Sequence, residues 1–330
     1  MSSFLLASLA LLFCISSLEK SFAFQATKES NNLRQYHFVH LNSLFPSSSC
    51  SSSAKGCSSS TDASCIYDVK YGDNSISRGF LSQERLTITA TDIVHDFLFG
   101  CGQDNEGLFR GTAGLMGLSR HPISFVQQTS SIYNKIFSYC LPSTPSSLGH
   151  LTFGASAATN ANLKYTPFST ISGENSFYGL DIVGISVGGT KLPAVSSSTF
   201  SAGGSIIDSG TVITRLPPTA YAALRSAFRQ FMMKYPVAYG TRLLDTCYDF
   251  SGYKEISVPR IDFEFAGGVK VELPLVGILY GESAQQLCLA FAANGNGNDI
   301  TIFGNVQQKT LEVVYDVEGG RIGFGAAGCN

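Results

Sequence analysis

Hydrophobic and polar positions follow three regimes along this chain. Residues 4–15 are an unbroken apolar or small-residue stretch, followed by the small-x-small step Ser21-Phe22-Ala23. That order predicts a secretory signal over 1–23, removed from the mature chain, with a buried N-terminal helix as the alternative. Residues 24–65 are polar and Ser-rich, with no strand or helix period, which predicts a linker or pro-segment rather than core. From Cys65 onward strand-like runs take over. Residues 66–71 alternate, 72–75 supply turn chemistry and 80–89 resume the strand pattern, so this stretch reads as a hairpin. Residues 96–101 and 114–118 read as short buried strands bounded by glycine, and 124–133 as one helix.

The second half repeats the style. Residues 178–187 form a strand that closes on a Gly188-Gly189 turn, and 205–211 a strand ending in a polar loop. Residues 218–233 carry Tyr221, Leu224, Phe228 and Phe231 at helical spacing, with Pro218 at the start. Further strands are expected over 258–265, 269–273, 286–292, 300–303, 311–316 and 321–324. Strand far outweighs helix, which predicts a two-lobed, all-β protein with a few short helices and a lobe boundary near 165–177.

Composition narrows the function classes. The 330 residues are 44% hydrophobic and 14% charged, a globular rather than disordered mixture. A formal net charge of −2 excludes a nucleic-acid binder that works by neutralising phosphates. No apolar run reaches the roughly 18 residues that span a bilayer. Thirty-three Gly, 11 Pro, 24 Phe and 14 Tyr without Trp suit many short strands joined by tight turns. Nine cysteines are spread singly, and removal of 1–23 takes Cys14 and leaves eight; in an exported chain these read as disulfide partners. Cys-x-x-Cys, His-Glu-x-x-His and Asn-x-Ser/Thr are all missing from the sequence, so neither a metal, a cofactor nor N-glycosylation is expected.

Two glycine patterns are discarded on context. Residues 184–188 match a nucleophile elbow but continue into a hairpin instead of a helix. Residues 323–328 match a dinucleotide fingerprint with only two residues after it. His37, His40, His95, His121 and His150 are scattered and form no triad order with a Ser or Cys.

The informative feature is Ile206-Ile207-Asp208-Ser209-Gly210-Thr211. Two β-branched residues drive a strand into the core and deliver a carboxylate at its end. Gly210 lets backbone N–H groups approach that carboxylate, while Ser209 and Thr211 can orient it. The same string also suits an ordinary turn. Around it stand Tyr71-Gly72-Asp73 at a hairpin turn and two apolar-apolar-glycine segments, Leu115-Met116-Gly117 and Ile302-Phe303-Gly304, one per half.

Taken with residues 99–102, 137–141, 207–215, 245–248, 288–291 and Cys329, this set resembles the pepsin-like aspartic endopeptidases, in particular the plant nepenthesin-like branch, from about residue 56 to 330. The resemblance implies a bilobal acid-protease fold with one Asp-Ser/Thr-Gly loop per lobe, the two carboxylates sharing a proton across a cleft. One activates a water, and the other protonates the scissile carbonyl. It implies Asp208 as the second-lobe catalytic residue, with Ser209, Gly210 and Thr211 as its loop. It makes Tyr71, with Gly72 and Asp73, an exposed flap tip that closes over an extended polypeptide substrate. It also implies the disulfides Cys247–Cys288 and Cys140–Cys329.

Against that pattern the chain contains a single Asp-Ser/Thr-Gly, and residues 24–70 hold no second one. Residues 36–50 resemble the start of this branch's pro-segment and join, at about 54–57, to sequence just before the flap. The expected layout is a signal over 1–23, a pro-segment-like region over 24–55, a truncated first lobe over 56–170 and a second lobe over 171–330. Seven cysteines remain from Cys57 on, which leaves one, Cys101, without its family partner. The leading expectation is a secreted or vacuolar, monomeric aspartic endopeptidase homologue that is catalytically incompetent and binds neither nucleic acid nor membrane. The competing readings are a non-hydrolytic binder, like the plant xylanase inhibitors, and a dimer that pairs two Asp208 loops.

Overall fold

In a computed structural model of the protein, residues 10–12, 66–71, 74–107, 114–144, 146–158, 162–171, 174–326 and 328–329 are described. The expected signal and pro-segment lie outside these residues except for Ala10–Leu12, as do Gly72 and Asp73. The pairing of Cys101 is likewise outside them.

The architecture is mostly β with short helices. In the first half, Ile66–Lys70, Ile76–Thr87 and Ile93–Glu106 form an antiparallel three-stranded sheet. Tyr67 and Val69 are buried while Ile66, Asp68 and Lys70 are exposed, the alternation of a half-buried strand. The two longer strands extend well beyond the apolar runs that announced them. Ser77 to Arg78 still pair with Asn105 to Asp104, because ladder bonds are made by backbone and tolerate polar side chains that face water, as Arg78, Asp104 and Asn105 do, or that are bonded when buried, as Ser77 is to Tyr67 and Asn105. The expected helix over 124–133 is two short turns, Phe125–Gln128 and Ser130–Tyr133. They separate at Thr129, which leaves helical geometry and bonds its hydroxyl to the Phe125 carbonyl at 2.7 Å.

A six-stranded sheet runs in the order Phe291–Ala293, Thr214–Leu216, Thr301–Phe303, Ser205–Ile207, Glu174–Gly179 and Ser169–Ile171. Ile182–Val187 turns through Gly188 and Gly189 into Thr190–Lys191, so the elbow-like string is a hairpin. Both glycines have positive φ, +59° and +85°, which non-glycine residues rarely adopt. Helix Pro218–Met232 buries Ala220, Tyr221, Leu224, Phe228 and Met232. Phe231 is not on that stripe: it is 49% exposed, and its ring lies over Gly188, where a β-carbon would meet it.

The halves are joined by a five-stranded sheet. His150–Phe153, Ile136–Cys140 and Lys164–Pro167 come from before residue 171, and Glu312–Asp316 and Arg321–Gly325 from after it. Phe137 stacks on Tyr315 at 4.4 Å, and Tyr178 meets Tyr315 edge-on at 4.7 Å. Phe263, Phe265, Phe291, Phe303 and Phe324 pack around one another in the second half's core, each at most 4% exposed.

Candidate active site at the Asp208 loop

Ser205–Ile207 lies parallel to Thr301–Phe303 on one side and antiparallel to Glu174–Gly179 on the other. Ile206 and Ile207 are buried, on opposite faces of the sheet. The ladder continues one step past the strand, where the Asp208 N–H donates to the Phe303 carbonyl at 3.1 Å. The chain then turns sharply. Asp208 Oδ1 accepts from the Gly210 N–H at 2.8 Å and Oδ2 from Thr211 Oγ1 at 2.7 Å, and the residue is 1% exposed. Ser209 differs from its expected role: it anchors the loop through its carbonyl, which accepts from Asn305 Nδ2 at 3.0 Å.

The loop is gripped from behind by residues 304–308, to which sequence reasoning assigned no role. The Asn305 N–H donates to the Thr211 carbonyl at 2.7 Å and the Val306 N–H to the Val212 carbonyl at 3.2 Å. At Gly304 a β-carbon would stand 2.8 Å from the Thr211 carbonyl and 3.0 Å from the Thr214 nitrogen, so only glycine allows this approach. The Gly304 N–H donates to Thr214 Oγ1 at 2.9 Å, and Thr214 donates onward to Gln307 Oε1. Gln307 Nε2 ties in the Gly277 and Ala290 carbonyls at 2.8 and 2.9 Å. Gln308 Nε2 donates to the same Phe303 carbonyl that receives Asp208, at 2.8 Å, and its Oε1 accepts from the Tyr139 hydroxyl. The usable signal was two consecutive glutamines behind an apolar strand. Such residues are fully buried only when their amides are bonded.

Tyr71 extends the inward face of its strand. It is half-buried against Tyr67, Val69, Leu81 and Ile123, where an exposed tip had been expected. Alternation is the reason, since residues 67, 69 and 71 share one face. The turn closes beneath it, with the Tyr71 N–H donating to the Ser75 carbonyl at 2.8 Å. Cys140–Cys329 and Cys247–Cys288 are disulfides with S–S distances of 2.04 and 1.98 Å.

Residues 16–155 match the family described as Xylanase inhibitor N-terminal, and residues 177–326 the family described as Xylanase inhibitor C-terminal. An aspartyl protease family protein of Arabidopsis thaliana is 55% identical over 283 residues, covering 86% of this chain and 59% of the relative. Aspartic proteinase nepenthesin-2 of Nepenthes gracilis is 34% identical over 275 residues, covering 80% of this chain and 61% of the relative. The chain belongs to the plant pepsin-like aspartic protease family. It spans about three fifths of the length of these curated relatives (59% and 61%). The crystal structure of conglutin gamma from lupine seeds shares its fold with a TM-score of 0.66 at 22% identity, covering 82% of this chain and 77% of the other.

The pepsin-like Asp208 loop has a distinct electrostatic signature. Burial pushes the Asp208 carboxyl up to about 6, against the hydrogen bonds from Thr211 and Gly210, which favour the charged form. No other carboxylate among the described residues contributes to that shift. Behind the loop, burial also raises the phenols of Tyr139 and Tyr315, whose hydroxyls lie 3.0 Å apart. A carboxyl poised near 6 can take or give a proton under mildly acidic conditions. Among the described residues no group of three or more His, Cys, Asp or Glu could hold a metal ion, and no helix is long and apolar enough to cross a membrane.

Proposed function

We propose that this chain is an aspartic endopeptidase homologue that binds extended polypeptide beside Asp208 and does not hydrolyse it. The observation that carries this reading is the isolation of Asp208 among the described residues: its upward shift comes from burial, with Gly210 and Thr211 as its partners and no second carboxylate among those residues contributing to it. The family's chemistry needs two opposed carboxylates, and the 330-residue sequence contains a single Asp-Ser/Thr-Gly. A lone carboxyl can activate water, but the described residues bring no second carboxyl to Asp208 that could protonate the carbonyl oxygen. One such partner accounts for about 10²–10⁴ in rate.

The same reading takes residues 1–23 as a removed signal, 24–55 as a pro-segment remnant, 56–170 as an incomplete first lobe and 171–330 as the second. Tyr71, with Gly72 and Asp73, is its substrate-covering hairpin. Two disulfides support an oxidising, secretory destination, extracellular or vacuolar, and the mature chain acts as a monomer.

A second reading is favoured by the family matches, both of which are described as parts of xylanase inhibitors. On it the chain is a binder of another protein, and Asp208 is structural. Hydrolysis of denatured globin between about pH 2 and 5, a window bracketing carboxylate titration, separates either reading from an active enzyme. No turnover above background is expected. Pepstatin-sensitive cleavage that disappears in Asp208→Asn would overturn the proposal by showing that a second carboxylate is recruited. Capture of a pepstatin-type peptide without cleavage supports the first reading over the second.

A further inference from the structure

The strand that leaves the Asp208 loop, Thr214–Leu216, carries an arginine at its centre. Thr214 and Leu216 are fully buried, whereas Arg215 is half-buried. Arg215 stands opposite Ile302, and Ile302 opposite Ile206, so the three share one face of the sheet. Alternation puts Asp208 on that face as well, two residues beyond Ile206. Two strand spacings across and two residues along place Arg215 roughly 12 Å from Asp208. Between them on the chain, Val212 is 43% exposed, so this rim of the loop is open.

Four other arginines are committed to carboxylates: Arg78 to Asp68, Arg225 to Asp245, Arg260 to Asp262 and Arg321 to Asp316. Among the described residues Arg215 has no acceptor. Burial alone acts on its guanidinium, lowering its pKa, with no carboxylate or hydrogen bond opposing it. A guanidinium partly removed from water and left unpaired is costly, and a carboxylate brought in by a ligand offsets that cost through a forked pair of bonds.

We propose that Arg215 is a carboxylate-binding, specificity-determining residue, selecting an extended peptide that carries an acidic side chain two to four residues from the bond held at Asp208. The spacing follows from the rise of an extended chain, about 3.3 Å per residue, against the separation of the two side chains. The assignment rests on the reading of the Asp208 loop as a peptide-binding cleft.

The test is equilibrium binding, which needs no turnover. Uncleavable, fluorescently labelled statine hexapeptides carry Glu or Gln at the second, third or fourth residue from the statine. Their affinity for the mature chain is measured by anisotropy at about pH 6, where Glu is ionised, and at low salt. At one of these positions the wild type should prefer Glu over Gln by about tenfold, the scale of a charged hydrogen bond discounted for partial exposure. Arg215→Gln should bring that ratio within about twofold while the Gln peptide still binds, and Arg215→Lys should keep part of it. Binding of the Gln peptide at wild-type strength also reports that the variant is folded. A Glu/Gln ratio unchanged in Arg215→Gln, or no preference at any position, overturns the assignment and leaves the cleft reading standing. Failure of every peptide to bind the wild type overturns both.

Discussion

Each half of the chain has an apolar-apolar-glycine strand, and the two are partnered in opposite ways. Ile302-Phe303-Gly304 leans on the strand that delivers Asp208, in parallel, and its Phe303 carbonyl receives the Asp208 N–H. Leu115–Gly117 pairs instead with Ala10–Leu12, antiparallel, a segment whose sequence reads as an export signal and carries no carboxylate. The second half therefore assembles its loop almost wholly from its own residues, borrowing Tyr139 from the first. Among the described residues the first half's strand has Ala10–Leu12 as its sheet partner, and the sequence holds no second Asp-Ser/Thr-Gly. Two strands of like sequence can thus take different partners, one bracing a carboxylate-bearing loop and the other an apolar segment.

The largest test of that asymmetry is covalent. Cys140–Cys329 ties the chain end back to the first half across 189 residues, while Cys247–Cys288 closes 41 residues within the second. On the loop-entropy account, serine replacement of the longer pair should cost about 5 kcal/mol and of the shorter about 4. Denaturant unfolding of the two double variants measures this. A larger loss from the shorter pair would mean that the halves are not held together at Cys140.

Next comes the supporting strand itself. Phe303 is fully buried among Phe263, Phe265 and Phe324, so Phe303→Ala should lose about 3–5 kcal/mol. Its counterpart Met116, 8% exposed and flexible, should lose about 2 as Met116→Ala. Equal losses would show that the first half is packed as tightly as the second.

These contrasts were partly legible in the sequence. The alternation at 66–70 shows on the chain because one face of that strand is buried and the other is not, the Ile206-Ile207 run because both faces are buried, and the Gly188-Gly189 turn because its backbone needs positive φ. Asp208 with Gly210 and Thr211 was legible because a carboxylate at a strand end needs donors close by. Gln307, Gln308, Thr214 and Tyr139 were not, because their roles depend on pairings between segments far apart in the chain, 93 residues for Thr214 and Gln307 and 169 for Tyr139 and Gln308. Phe231 was misplaced because helical spacing fixes a stripe only to within a residue, and the stripe actually buried runs through Met232. The orientation of Tyr71 followed from alternation, but the hairpin-tip reading outweighed it.

Asp208 offers a smaller but sharper probe of whether a second carboxylate is near. Its folded pKa of about 6 lies above the unfolded value of about 3.9. The protonated form is therefore favoured by folding. Its contribution is fully present below about pH 4 and is lost as pH rises through about 6, a change of about 3 kcal/mol in all. Asn does not titrate, so the stability of Asp208→Asn relative to wild type should rise by that amount between about pH 3.5 and 7. One unsplit step is expected by carboxyl-carbon NMR. Two coupled steps would reveal a partner carboxylate and collapse the contrast between the halves.

The smallest effect lies at the seam. His150, on the strand beside Cys140, sits 2.8 Å from Glu312 across the sheet shared by both halves. The hydrogen bond to Glu312 raises the His150 pKa against the opposing effect of burial. On Glu312 burial acts upward, but the bonds from His150 and Ser138 prevail and hold it below its ordinary value. Glu312 is therefore charged throughout mildly acidic conditions, and the pair gains or loses its attraction through His150. A raised folded pKa places the stabilisation below about pH 6.5, the unfolded value, and removes it as pH climbs through the folded value. His150 is 38% exposed at its side chain, so solvent screening limits the effect to under about 1 kcal/mol. His150→Gln, which keeps a neutral donor for Glu312, should match wild type at about pH 8 and fall below it at about pH 5. Thermal melts at the two pH values decide the matter. A deficit of equal size at both would make His150 a packing residue, and the halves would then be joined at this seam by shape and disulfide rather than by charge.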